Sequence, residues 1–194
     1  MPQDEVLAPT DETDPRDRPR GRRLQVVAGV VLVVAAVAIG GAVWSRSGGS
    51  GNDAAKKLAA RQAEVERRGG SVMPFDQNKT MHQFSDTANG GIETVTANDP
   101  TDSTQIALVQ QHLAHERELF AAGNFTDPMA IHGMAMPGIQ DLQKGAAAGH
   151  ITITYAALPN GARLTYATTD PDLIDALHTW FEAQLMDHGS HAMG

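Results

Sequence analysis

The chain has 194 residues, a formal net charge of −8 and no cysteine. Without thiols, disulfide staples, zinc–thiolate centres and cysteine nucleophiles are excluded. The acidic balance sharpens from Met73 onward to fourteen Asp or Glu against four Lys or Arg, which attracts cations, repels phosphate backbones and argues against nucleic acid as a partner.

Residues 1–23 mix Pro, Asp, Glu and Arg with few large apolar groups, so they bury too little surface to offset chain entropy and read as a disordered tail. Val26 to Trp44 follows without one polar side chain. At about 1.5 Å per residue that run crosses the hydrocarbon core of a bilayer, which predicts a single transmembrane helix over 24–44. Arg16, Arg18, Arg20, Arg22 and Arg23 crowd its N-terminal flank, against Arg46 on the other side. The positive-inside rule then places the tail in the cytoplasm and the rest outside the cell membrane. Ala36-Val37-Ala38 offers a signal-peptidase alternative, but the run continues to Trp44, a residue suited to the membrane interface, which favours an uncleaved anchor.

Residues 45–72 read as a Gly/Ser linker and a helical stalk. Asp53 to Arg68 is rich in helix formers, with Asp53 as cap and Gly69-Gly70 as stop. Its apolar face is little more than alanines with Leu58 and Val65, so the helix is expected to be solvated.

The domain proper spans 73–194. Asn89-Gly90-Gly91 separates Met81–Asp86 from Ile92–Ala97, and Pro159-Asn160-Gly161 separates Ile151–Ala156 from Ala162–Ala167, so two hairpins are expected. A helix should follow each hairpin, over about Ser103–Ala122 and about Pro171–Asp187, the second opened by Asp170 as cap and Pro171 in its first turn. The stripe Leu108, His112, His115, Leu119 matches the spacing of Ile174, His178, Phe181, Leu185. A ββα unit therefore occurs twice, and the predicted fold class is α+β: a two-layer sandwich of four antiparallel strands with two helices on one face.

All eight histidines, and every methionine but the first, lie beyond the apolar run. Imidazoles and thioethers held outside the cytoplasm in a thiol-free domain suit a soft metal ion, copper in particular. If Ile131 to Met136 is extended, His132, Met134 and Met136 share one face and converge. Met134 and Met136 filling a gap in the core is the competing reading. Further candidate donors are His188, next to Asp187 near the C-terminus, His178 on the last helix, and His82 at the start of the first strand. Trp180 could cover a Cu(I) ion, but a helical Trp more often packs on its own sheet. His112 and His115 form a lone His-x-x-His, for which a structural role of His112 is the better account. No Gly-rich phosphate loop, nucleophile-elbow Ser or His-Glu-x-x-His helix is present, and no catalytic residue is assigned.

The runs Met81 to Phe84, Gly90 to Val95, His132 to Gly138, Pro159 to Tyr166 and Leu177 to Gly189 together resemble a group of small bacterial membrane-anchored proteins, over about residues 80 to 191. Members can carry the label aspartate carbamoyltransferase, which these residues do not support. A transcarbamoylase is a cytosolic enzyme of two α/β domains with a Ser-Thr-Arg-Thr type phosphate motif, and this chain has neither the motif nor the length.

The expectation is thus a single-pass, membrane-anchored extracytoplasmic protein that binds copper for sequestration, delivery or sensing. Its partners would be the metal ion and, through one helix, the lipid bilayer. The alternative is a non-catalytic interaction module with structural histidines that meets a membrane-protein partner. A third reading is a small enzyme using His188 with Asp187 or another carboxylate as acid and base.

Overall fold

The computed structural model describes residues 48–133 and 136–194. The tail, the apolar run expected to be a membrane anchor, and Met134 of the expected donor set lie outside those residues. Among the described residues no helix is long and apolar enough to cross a membrane.

The element order is α1 (Gly48–Val72), a 3-10 turn (Gln77–Lys79), β1 (Thr80–Thr87), β2 (Gly90–Ala97), α2 (Ser103–Ala121), α3 (Thr126–His132), α4 (Ile139–Ala147), β3 (Thr152–Leu158), β4 (Gly161–Ala167), α5 (Pro171–His188), a second 3-10 turn (Gly189–His191) and β5 (Ala192–Met193). The fold is α+β with one five-stranded sheet in the order β3-β4-β2-β1-β5. Both hairpins form, with two-residue loops Ala88-Asn89 and Pro159-Asn160, and β2 joins them by pairing antiparallel with β4. The expected four-stranded antiparallel sheet needs correction at one edge. There β5 pairs parallel to β1, His82 opposite Ala192 and Gln83 opposite Met193, so the sheet is mixed.

Two glycines let the layers close. Gly90 has a φ of 147°, and a Cβ there would run into the backbone of Tyr166 on β4. A Cβ on Gly91 would collide with the ring of Phe181, so its absence lets α5 settle onto β2.

Asp102 caps α2 by accepting from Gln105 N at 3.1 Å, and Asp170 caps α5 by accepting from Asp172 N at 3.0 Å. The buried stripes sit about one residue, or about 100°, round from the expected ones. On α2 the buried residues are Gln105, Val109, Leu113, Glu116 and Phe120, while His115 is exposed. On α5 they include Leu173, Ala176, Leu177, Trp180, Phe181 and Gln184. Both helices meet the sheet's buried side chains: Trp180 lies edge-on to Tyr166, Phe120 and Phe125, and Phe84 contacts Phe181.

Two expectations for the connecting segments also need correction. Residues 126–132 are not extended but form α3, since Asn124 Oδ1 accepts from Thr126 N at 3.0 Å and Asp127 and Pro128 occupy the first turn. The extended reading of Ile131 and His132 is thereby corrected, and Met134 lies outside the described residues. Helix α1 does not stop at Gly69-Gly70 but runs on to Val72, with Gly69 against the side-chain ends of Met73 and Gln77. Residues 51–61 are exposed as a stalk would be, but Val65 is only 1 % exposed.

Candidate functional site

Polar residues are enclosed where β1, α2, α3 and α5 meet. His82 on β1, Glu116 on α2, His132 on α3, and Gln184 and His188 on α5 are all buried, and all line one cavity of about 40 Å³. Met73, His112, Glu93, Asp127 and Trp180 complete its polar and soft-donor wall. That volume accommodates a small ion or a few waters, far less than an organic substrate needs.

The three imidazoles come together from distant parts of the chain. The rings of His82 and His188 stack with centroids 4.8 Å apart, and His132 meets His188 edge-on at 4.9 Å. His132 is fixed in turn: its Nδ1 lies 2.9 Å from Asp187 Oδ2, and Asp187 accepts two bonds from Arg61 of α1, at 2.8 and 2.6 Å. Arg61 also donates to the His132 carbonyl at 2.6 Å. Burial alone would push the Asp187 carboxyl up, but the bonds from His132 and Arg61, with their charges, outweigh it and hold it well below the usual carboxylate range. An ionised carboxylate only accepts, so Nδ1 of His132 carries the proton and Nε2 is the nitrogen left for a ligand.

Among the described residues, the buried side-chain atoms without a hydrogen-bond partner are His82 Nδ1, both Glu116 carboxyl oxygens, Trp180 Nε1 and Gln184 Oε1. All four residues line this cavity. Each such atom costs about 1–3 kcal/mol when left unpaired, so unused hydrogen-bonding capacity is concentrated round one small space.

Five of the lining groups, His82, His112, His188, Glu93 and Glu116, are shifted toward their uncharged forms. Burial, reinforced by His112, His132 and His191, lowers the His82 pKa to about 3. Burial and the neighbouring His82 and His132 take His188 well below its usual value, and burial lowers His112 to about 4. Burial, with the adjacent Asp127 and then Glu93, pushes Glu116 up to about 9. Partly buried Glu93 rises to about 7 through burial, opposed by the Tyr166 hydroxyl that donates to it at 2.8 Å. Neutral imidazoles have free lone pairs, the form in which they bind metals.

These shifts predict the pH dependence of metal-free stability. The three histidines have depressed folded pKa values, so the stability tied to their neutral forms is present above about 6.5 and lost as pH falls, for His112 towards 4 and for His82 towards 3. The two glutamates have raised values, so stability tied to their protonated forms is present below about 4.5 and lost as pH rises through 7 and 9. The metal-free chain should therefore be most stable near pH 6.5, with denaturant midpoints falling on both sides. A midpoint that rises steadily from pH 5 to 9 would contradict these assignments.

Of the expected donors, the structure brings together His82, His132 and His188. It does not bring Met136, which is buried in the apolar core, or His178, whose Nε2 is 2.8 Å from the Gly90 carbonyl oxygen, to the cavity. Sequence reasoning missed Met73, which supplies a thioether to the wall, and gave His112 and Glu116 no part in a site. Glu116 was detectable as a carboxylate spaced with Val109, Leu113 and Phe120 on one helical face. Among the described residues, no three His, Asp or Glu side chains stand arranged to hold a metal ion. Comparison of the chain with family models, with curated proteins and with solved structures gave no match.

Proposed function

We propose that this is a single-pass, membrane-anchored extracytoplasmic protein, built from two ββα units round one core, that binds a soft cation, copper, for sequestration, delivery or sensing. The observation that carries the reading is the set of orphaned polar atoms and imidazoles round one ion-sized cavity. His82, His132 and His188 would supply nitrogen, which suits zinc and copper alike, and Met73 sulfur, the soft donor that favours Cu(I). Ligation requires the stacked His82 and His188 rings to turn about their side-chain bonds, since they lie nearly parallel, 11° apart.

The test is the metal content of the full chain, purified without an affinity tag in detergent and titrated against a competing chelator. One Cu(I) per chain, with Zn(II) unable to displace it, is expected. No retained Cu(I), or Zn(II) held as tightly, would contradict the reading. A second reading, a non-catalytic interaction module with structural histidines, is favoured by the His178 bond to the Gly90 carbonyl, and predicts no stoichiometric metal at all. On topology, a reporter active only in the cytoplasm, fused to Gly194, should give no signal, and a bright one would reverse the assigned compartment.

A further inference from the structure

A second hollow of about 220 Å³ lies between α1 and the C-terminal turn, and His188 lines both it and the buried cavity. Its polar lining comes from Gln62, Glu66, Gln77, Asp187, Ser190 and His191. Glu66 and Ser190 are exposed, so the hollow reaches solvent at one end and the wall of the histidine cavity at the other.

We propose that this hollow is the route by which the soft cation enters and leaves the histidine cavity, with His188 as the shared wall and α1 as the cover. The inference rests on the metal reading above. A buried site needs an entry path, and this one is lined with imidazole, carboxylate and amide groups that replace part of an ion's hydration on the way in. The cover is thinly held. Val65 is the one fully buried apolar side chain of α1, with Val72 partly buried beside the core, and the polar ties are Gln62 to the Met186 carbonyl at 2.8 Å, Gln77 to the Glu66 carbonyl at 2.9 Å, Arg61 to the His132 carbonyl at 2.6 Å, and the Arg61–Asp187 pair. Segments with few buried apolar contacts open at low free-energy cost. The Arg61–Asp187 pair also orients His132, so lifting α1 loosens a donor as it uncovers the route. Uptake and release are thereby coupled to the helix that follows the predicted membrane anchor in sequence.

The experiment is stopped-flow loading of the full chain in detergent with Cu(I) delivered from a weak chelator. Ala63 and Ser190 line the hollow from opposite sides and belong to no donor set. Ala63→Phe and Ser190→Phe should each slow loading by about tenfold or more while equilibrium affinity stays within about threefold of the parent. Arg61→Gln should speed release to a strong chelator. The two filling variants check one another, and circular dichroism establishes which of them folds. Folded filling variants that load at the parental rate would overturn the route and leave the metal reading standing. A parent that takes up no Cu(I) would overturn both.

Discussion

His188→Ala is expected to weaken Cu(I) binding by about 100-fold or more, because His188 is the ring that touches both other imidazoles. Asp187→Asn, which leaves the three rings in place but removes the carboxylate that orients His132, should cost about 10–100-fold. Met136→Leu keeps apolar volume in the core and His178→Ala alters a side chain away from the cavity, so both should bind within about twofold of the parent. Competition titration of the four variants at one pH separates cavity ligation from adventitious binding at surface histidines. Equal losses in all four would sink the assignment.

Trp180→Ala should destabilise the domain by about 3–5 kcal/mol. Trp180 is 0 % exposed and packs edge-on against Phe120 of α2, Phe125 before α3 and Tyr166 of β4, so its removal takes contacts from both halves of the chain at once. Hydrogen exchange should then accelerate together in the β1–β2 and β3–β4 hairpins. Loosening confined to β3, β4 and α5 would show that the two halves do not share one core.

What was legible in the sequence was local. The hairpins announced themselves through Asn89-Gly90 and Asn160-Gly161 between β-rich runs, and α5 through Asp170-Pro171. The signal for α3 was also present, since Asp127-Pro128 follows Asn124, but the density of ligand-type residues from His132 onward invited an extended reading. Helix α1 overran Gly69-Gly70, where Gly69 is buried against Met73 and Gln77, a tertiary packing that propensity does not register. The β5 strand is two residues long and pairs parallel across more than a hundred residues of chain, so no local pattern encodes it.

The site divides in the same way. His82, His132 and His188 were named one by one for their donor chemistry, but nothing in their spacing said that β1, α3 and the end of α5 converge. Met73 and Glu116 entered the cavity wall only through that convergence. The one-residue rotation of the α2 stripe mattered most, because it turned His115 to solvent and Glu116 inward.

The most direct test of the central claim is a long-range nitrogen–proton spectrum of the imidazoles of the full chain, recorded before and after one equivalent of Cu(I), a diamagnetic ion. The account predicts that ring nitrogens of His82, His132 and His188 shift, while those of His115, His150 and His178 stay in place. Shifts confined to His115, His150 and His178, or no shift at any ring, would contradict it.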